Sequence, residues 1–103
     1  MGGEARNKRK YRIDVYIGSD NDSRTIHSNY LDKVRRWAND TFPNGYTVLR
    51  GEGWYDGTSE DSILLQAFLS YDPVLKRQLE KLKRELKQNA ILVVKSTADY
   101  TVI

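Results

Sequence analysis

The residues best suited to chemistry lie in one stretch, residues 42–61, which reads FPNGYTVLRGEGWYDGTSED. Trp54 and Tyr55 end a predicted strand there, and Glu60 follows the turn at residues 56–59. The face of an aromatic ring attracts a cation by about 0.5–2 kcal/mol, and a carboxylate adds a full opposite charge. Aromatic rings beside a carboxylate therefore favour a positively charged organic ligand.

Two glycines in the same stretch indicate that another molecule approaches the backbone. Gly51 and Gly53 lie inside the predicted strand, where glycine weakens a strand and typically marks a bulge or a close contact. A flat base or a sugar could lie against them, with Tyr16 and Tyr46 nearby. The alternative is structural, namely a glycine-rich hairpin whose exposed tryptophan packs at a contact between subunits.

Several other chemistries lack the residues that they need. The chain has no cysteine, which excludes a disulfide scaffold, a thiol nucleophile and a thiolate metal site, and its one histidine, His27, cannot form a histidine cluster. Residues 20–22 resemble part of a calcium loop, but the glycine and the closing glutamate are missing at the required spacing. We therefore expect neither a metal nor a cofactor, and we place His27 in a solvated loop.

The net charge of +3 belongs to the start of the chain. Residues 1–10 hold four basic side chains and one acidic one, so residues 11–103 are formally neutral. We predict a disordered basic leader over residues 1–10 and a single domain over residues 11–103. No apolar run approaches the length of about 18 residues that spans a bilayer, and no signal peptide is recognisable. We expect a cytoplasmic protein without a membrane partner.

Six elements are predicted from hydrophobic spacing and turn residues. Alternation gives the first strand, and an apolar stripe that includes Leu31, Val34 and Trp37 gives a helix capped by Ser28 or Asn29. The predicted elements are a strand over 11–17, a helix over 28–42, strands over 46–55 and 60–71, a helix opened by Asp72-Pro73 and ended near Asn89, and a strand over 90–95.

The order β-α-β-β-α-β predicts an α+β fold of the ferredoxin-like type, an antiparallel sheet with two helices on one face. Right-handed crossovers place the first and third strands at the centre. The third and fourth strands are apolar on both faces, so the uncovered face requires another layer. Burying Leu64, Phe68, Leu92 and Val94 there would gain roughly 1.5–3 kcal/mol per side chain. We predict a homo-oligomer packed through this face, and choose a trimer by analogy.

Residues 42–61 and the apolar strand after them resemble the hairpin region of phage-type S-adenosylmethionine lyases, which share the trimeric fold of the PII signalling proteins. They are also similar to an uncharacterised bacterial domain family with the pattern FP-x-G-x-T…G-x-G-x-W…E. The resemblance implies a PII-like oligomer whose site lies between subunits and uses a glutamate after the hairpin turn and a tyrosine upstream. Glu60 matches the glutamate, and Tyr46 and Tyr55 both remain candidates for the tyrosine.

The implied substrate is S-adenosylmethionine or a nucleotide conjugate of it. The substrate's own carboxylate attacks the carbon next to the sulfonium, which gives methylthioadenosine and homoserine lactone without a cofactor. The implied catalytic residues are Glu60, Tyr46 and Tyr55, and the implied substrate-binding residues are Trp54, Gly51, Gly53 and Tyr16. One alternative is a non-catalytic PII-like sensor or sponge that binds a nucleotide, and another is an oligomer without a ligand. We do not expect nucleic acid as a partner, because the domain is neutral and its first strand lacks the aromatic RNA-recognition pattern.

Overall fold

The structure, a computed structural model, describes residues 9–103. Residues 1–8 of the predicted basic leader lie outside the described residues. The elements in chain order are β1 (Tyr11–Gly18), α1 (Ser28–Thr41), β2 (Thr47–Tyr55), β3 (Thr58–Leu69), α2 (Lys76–Glu85) and β4 (Leu92–Thr97). The predicted β-α-β-β-α-β order is therefore confirmed.

The four strands form one sheet in the order β2-β3-β1-β4, and every neighbouring pair is antiparallel. The first and third strands are central, as the right-handed crossover rule predicts. This arrangement is the ferredoxin-like α+β fold that the sequence predicts. Within residues 9–103, no helix is long and apolar enough to cross a membrane.

The core lies between one face of the sheet and the two helices. Alternate residues of β1 and β3 supply the sheet side of it, because successive side chains of a strand point to opposite faces. Trp37 of α1 joins the two helices, since its indole Nε1 donates a hydrogen bond to the carbonyl of Gln78 in α2 at 2.8 Å. The fully buried side chains include Ile13, Val15, Ile17, Val34, Phe42, Ile63, Leu65 and Leu82.

Helix α1 begins at Ser28, but the predicted cap is wrong. His27 is the N-cap residue, with extended backbone and no capping side-chain hydrogen bond, so Ser28 and Asn29 already lie inside the helix. The carbonyl of His27 accepts the first helical hydrogen bond from Leu31 at 3.0 Å. At the other end Phe42 donates to the carbonyl of Ala38 at 2.7 Å before Pro43 stops the helix, as predicted.

Helix α2 begins at Lys76, so the prediction that Asp72-Pro73 opens it is wrong. The Asp72 carboxylate instead accepts a hydrogen bond from Nζ of Lys95 at 2.6 Å, which ties the segment before the helix to β4. The helix ends at Glu85 rather than near Asn89, because Lys87 takes a left-handed backbone conformation with φ of 55°. Strand β4 spans Leu92–Thr97, two residues later than the predicted 90–95.

Within residues 9–103, neither helix covers the second face of the sheet, which we call the open sheet face. The strand register places Leu49, Leu64, Tyr16 and Leu92 in one row across all four strands. Leu49 is 54% exposed and Leu92 is 61% exposed. On the same face Phe68 packs edge-on against Tyr100, with 5.5 Å between the ring centres. The bare apolar face on which the oligomer prediction depends is therefore present, while the oligomer itself stays a prediction.

Candidate functional site

Glu60 lies on β3 where the hairpin extends past the end of β1. Gly18, the last residue of β1, pairs with Ser62, so Glu60 has β2 but not β1 beside it. Even-numbered residues of this strand point to the open sheet face, and alternation gives Glu60 the same direction as Ser62 and Leu64. The carboxylate therefore lies at the edge of that face, next to the end of β1.

Ser19, directly after β1, holds the Glu60 carboxylate in place, and Gln88 in turn holds Ser19. Ser19, which is 1% exposed, donates a hydrogen bond from its hydroxyl to Oε2 of Glu60 at 3.1 Å. The Ser19 carbonyl accepts a hydrogen bond from Nε2 of Gln88 at 2.8 Å. Gly18 leaves little room beside these groups, because a Cβ there would lie 3.3 Å from Oε1 of Gln88 and 3.4 Å from Oε1 of Glu60. One oxygen of the carboxylate is thus anchored by a buried hydroxyl.

Glu60 lines a cleft of about 850 Å³, which we call the Glu60 cleft. Tyr16 of β1 and Tyr55 at the end of β2 contribute aromatic rings to the cleft, and Arg24 contributes a cation. Tyr55 is 76% exposed, so the cleft is open to solvent on the hairpin side. The other lining residues are Gly18, Asn21, Asp56, Thr58, Gln88, Asn89, Ala90 and Leu92. Two acidic residues, two tyrosines and one arginine therefore line one solvent-accessible space of ligand size.

Tyr30 supports the end of β1 from inside the core. Its hydroxyl donates a hydrogen bond to the carbonyl of Gly18, and the residue is 4% exposed. Burial, with the negative charges of Asp20 and Glu60 adding to it, raises the pKa of Tyr30 to about 12. The hydroxyl therefore remains a donor at neutral pH and holds Gly18 against the Glu60 cleft.

The loop between β1 and α1 is organised by the Asp20 carboxylate. Its Oδ1 accepts backbone hydrogen bonds from Asp22 at 2.8 Å and Ser23 at 3.2 Å, and these bonds lower the pKa of Asp20. Its Oδ2 lies 3.5 Å from Nε2 of His27, an exposed loop residue. Asp61 links this loop to β3, since its Oδ2 accepts a hydrogen bond from the Ile26 backbone at 3.3 Å. The loop is therefore fixed beside the cleft.

The structure brings together three of the predicted site residues, namely Glu60, Tyr16 and Tyr55. Gly51 and Gly53 lie on the same face of β2 as Tyr55, and a Cβ at Gly51 would meet no atom within 4 Å. Trp54 points to the opposite face by the same alternation, and it is 67% exposed.

Tyr46 lies apart from the Glu60 cleft. It precedes β2, whose first residue, Thr47, pairs with Gln66 rather than with the start of β3. Its hydroxyl donates a hydrogen bond to Oδ1 of Asn39 on α1 at 2.6 Å. Within one chain, Tyr55 and Tyr16 are therefore the tyrosines that accompany Glu60.

Three residues that shape the site are not predicted from the sequence, namely Ser19, Arg24 and Gln88. Ser19 and Arg24 lie in a polar loop without periodicity, and Gln88 follows a helix end that was predicted too late. Tyr30 could have been found, because it stands four residues before Val34 on the apolar stripe of α1. Within residues 9–103, no group of three or more histidine and acidic side chains is placed to hold a metal ion.

The fold and the cleft together define a small ferredoxin-like protein with a ligand-sized site at the end of a central strand. Among solved structures, the chain is similar to a phage SAM lyase in the apo state. The TM-score is 0.59 at 13% sequence identity, and the match covers 88% of this chain and 82% of the lyase chain. A phage SAM lyase in complex with S-methyl-5'-thioadenosine matches with a TM-score of 0.50 at 13% identity, covering 85% of this chain and 81% of that one. No protein-family model and no curated protein matches the sequence. The likeness shows that the fold is shared over most of both chains.

Proposed function

We propose that the protein is a cytoplasmic lyase that cleaves S-adenosylmethionine, or a nucleotide conjugate of it, to methylthioadenosine and homoserine lactone. The observation that carries the proposal is the position of the Glu60 carboxylate, which buried Ser19 anchors in the same cleft as Tyr16 and Tyr55. The fold likeness adds support, because one similar structure is a phage SAM lyase in complex with S-methyl-5'-thioadenosine, which is a product of this reaction.

The reaction rearranges bonds within the substrate. A carboxylate oxygen of the substrate forms a bond to the γ-carbon, the bond from that carbon to sulfur breaks, and the electron pair goes to sulfur. The sulfonium becomes the neutral thioether of methylthioadenosine, and the carboxylate becomes the ester of the lactone. No proton is transferred in this step, so the protein has only to hold the substrate folded. Well-oriented intramolecular reactions reach effective molarities of about 10⁵–10⁸ M.

Glu60, Tyr16 and Tyr55 each have a role in this scheme. Glu60 binds the ammonium or the sulfonium end of the substrate, because its carboxylate supplies the opposite charge. Tyr16 and Tyr55 offer ring faces to the adenine or the sulfonium. The positive and negative charges of the substrate neutralise each other as the lactone forms, so a site that excludes water favours the transition state. Gly51 and Gly53 allow the substrate to lie close to the hairpin backbone.

Oligomerisation would enclose the cleft. In one chain Tyr55 is exposed and the open sheet face beside Tyr16 is uncovered. A neighbouring copy on this face, in a homo-oligomer that we propose is a trimer, would exclude water from the substrate. A neighbour could also bring Trp54 or Tyr46 to the cleft, since neither lines it within one chain.

The test measures methylthioadenosine and homoserine lactone after purified protein is incubated with S-adenosylmethionine. We expect Glu60→Gln to lower the rate by about 10²-fold or more, because a fixed charge aimed at the reacting group is lost. Glu52→Gln is the matched control. Glu52 is exposed, and it points to the other face of the hairpin from Gly53 and Glu60. Heat-denatured protein corrects for spontaneous breakdown. Absence of product above that background, or full activity in Glu60→Gln, would contradict the proposal.

Labelled water separates the lyase from a hydrolase that gives related products. In H₂¹⁸O, attack by the substrate carboxylate leaves the oxygen on the γ-carbon unlabelled, even after the lactone opens at its carbonyl. Attack by water would place ¹⁸O on the γ-carbon hydroxyl of homoserine. Mass spectrometry of that hydroxyl therefore decides which oxygen attacks.

A non-catalytic PII-like sensor or sponge is the second candidate function. The exposure of Tyr55 favours it, because a site open to water can bind a nucleotide without promoting charge neutralisation. This function predicts thermal stabilisation by an adenosine compound without turnover, of about 2.7 kcal/mol when the ligand is at 100 times its Kd. Methylthioadenosine formation that depends on Glu60 would rule it out.

A further inference from the structure

The Glu60 cleft contains a cation that the fold does not use. Arg24 lines the cleft, and no carboxylate of residues 9–103 lies within ion-pair distance of its side chain. Two arginines of the sheet, by contrast, have partners. Arg12 lies 3.2 Å from Oδ2 of Asp14, and Arg50 donates a hydrogen bond to the Ile26 carbonyl at 3.0 Å. In the described part of the chain, Arg24 is thus a cleft-lining arginine whose side chain makes no ion pair.

The backbone places Arg24 firmly beside β3. Its φ is 58°, in the left-handed region that costs energy for a residue with a side chain. Its N–H donates to the carbonyl of Asp20 at 2.8 Å, and its carbonyl accepts from the N–H of Asp61 at 3.4 Å. The Asp20 carboxylate closes the same turn through Asp22 and Ser23. The strained turn therefore fixes Arg24 next to the residue that follows Glu60 in the sequence.

The cleft is thus lined by Arg24 and by two acidic residues, Glu60 and Asp56. Of the two acidic residues, Glu60 is the one that Ser19 holds in place, so Glu60 and Arg24 form a fixed pair of opposite charge. The complement of such a pair is a zwitterion, in which an ammonium faces Glu60 and a carboxylate faces Arg24. A guanidinium binds a carboxylate through directed, charge-assisted hydrogen bonds, which an ammonium side chain cannot reproduce in the same geometry. The adenosine part of a ligand would contact the tyrosines instead.

We propose that Arg24 binds the carboxylate of the ligand's amino-acid tail and makes the Glu60 cleft selective for adenosyl compounds with an intact zwitterionic tail. This inference rests on the proposed function. In the lyase reaction, Arg24 holds one carboxylate oxygen and leaves the other free to attack the γ-carbon. Arg24 is a substrate-binding residue that positions the nucleophile.

The test compares three ligands by calorimetry. S-adenosylhomocysteine has the zwitterionic tail but no sulfonium, methylthioadenosine lacks the tail, and decarboxylated S-adenosylmethionine lacks only the carboxylate. The main variant is Arg24→Asn, which removes the charge and tolerates the left-handed backbone. Arg24→Lys keeps the charge without the planar guanidinium. Arg77→Gln, at an exposed position of α2 outside the cleft, is the control.

We expect Arg24→Asn to weaken S-adenosylhomocysteine binding by about 10- to 100-fold and to leave the two ligands without a carboxylate within about twofold, as the loss of one charge-assisted contact predicts. Arg24→Lys should restore part of the loss, and Arg77→Gln should change nothing. Equal effects on all three ligands, or no effect on any, would overturn the inference. An unchanged KM for S-adenosylmethionine in Arg24→Asn would also overturn the inference.

Failure of this inference is distinguishable from failure of the proposed lyase. Wild-type protein that binds the zwitterionic ligand through Arg24 but forms no methylthioadenosine overturns the lyase alone. Glu60-dependent turnover that Arg24→Asn does not alter overturns the inference alone. Wild-type protein that binds none of the three compounds and also forms no methylthioadenosine from S-adenosylmethionine overturns both.

Discussion

At Gly18 one added methyl group tests how closely the site is packed. A Cβ there would lie 3.4 Å from Oε1 of Glu60 and 3.3 Å from Oε1 of Gln88, so both side chains must shift by a few tenths of an ångström. We expect Gly18→Ala to lower the lyase rate by about 10-fold, because small displacements of a positioning group reduce the rate steeply. The thermal unfolding temperature of Gly18→Ala should change little, so the lower rate would not result from unfolding. An unchanged rate would show that the position of Glu60 is not critical.

Tyr30 provides a second prediction, on pH and stability. Its pKa is raised to about 12 in the folded protein, against about 10 for an exposed tyrosine. The folded state therefore binds the proton more tightly, and the resulting stability is fully present below pH 10 and is lost as the pH rises through about 12. At about 1.4 kcal/mol per pKa unit the loss is on the order of 3 kcal/mol.

Tyr30→Phe removes this pH dependence and also the hydrogen bond to the Gly18 carbonyl. We expect the variant to be less stable than wild type by about 1–3 kcal/mol at neutral pH, because a buried carbonyl loses its donor. The difference should shrink between pH 10 and 12, as measured by urea unfolding of both proteins. A difference that stays constant over that range would contradict the raised pKa.

Residue type alone predicted only part of the site. Glu60 and Tyr55 could be chosen from the sequence because they flank a recognisable turn, and both line the cleft. Trp54 differs from Tyr55 by one position, but alternation along β2 sends it to the other face. Arg24 could not be chosen, since its place in the cleft depends on a left-handed backbone that hydrophobic spacing does not encode.

At the scale of elements, periodicity predicted the interiors well and the ends less well. The third strand alternates between buried and partly exposed residues from Ile63 to Leu69, as its sequence indicates. The predicted start of α2 was wrong. An Asp-Pro pair is a typical helix opening, but here the Asp72 carboxylate binds Lys95, which is distant in the sequence. Such a contact between distant residues leaves no local signal.

The pairing of β1 with β3 supplies a prediction at this scale. Asp14 is buried on the open sheet face, opposite Gln66, whose Nε2 donates to Oδ1 of Asp14 at 2.9 Å. We expect Gln66→Leu to destabilise the protein by about 1–2 kcal/mol, because Asp14 keeps only Arg12 as a partner. Adding Asp14→Val should recover part of the loss, since two apolar residues replace the polar pair.

The measurement is chemical unfolding of the single and double variants at one protein concentration. The sign of the coupling between the two changes decides the outcome. Additive losses would show that the cross-strand pair contributes nothing beyond its separate residues.

At the scale of the whole molecule, the fold of residues 9–103 leaves one face of the sheet without a helix. Helices α1 and α2 both lie on the core face, which a β-α-β-β-α-β chain with right-handed crossovers produces. The sequence predicted this imbalance, because β3 and β4 carry apolar residues on both faces. The number of subunits cannot be read in the same way, because it depends on how copies meet and not on any one strand.

The open sheet face leads to the last prediction, on assembly. If copies associate through this face, Leu49→Lys places a charge in the interface and should shift the protein to monomers in analytical ultracentrifugation at micromolar concentrations. Leu49 is exposed in the single chain and does not line the Glu60 cleft. The substitution should therefore change the stability of each folded chain only a little. Val74→Lys is the matched control, because Val74 is 85% exposed and lies outside the sheet.

If a neighbour encloses the cleft, the Leu49→Lys monomer should also lose activity while Val74→Lys keeps it. A wild-type protein that sediments as a monomer at about 100 times its assay concentration would contradict the assembly. Full activity in the Leu49→Lys monomer would instead show that one chain forms the complete site.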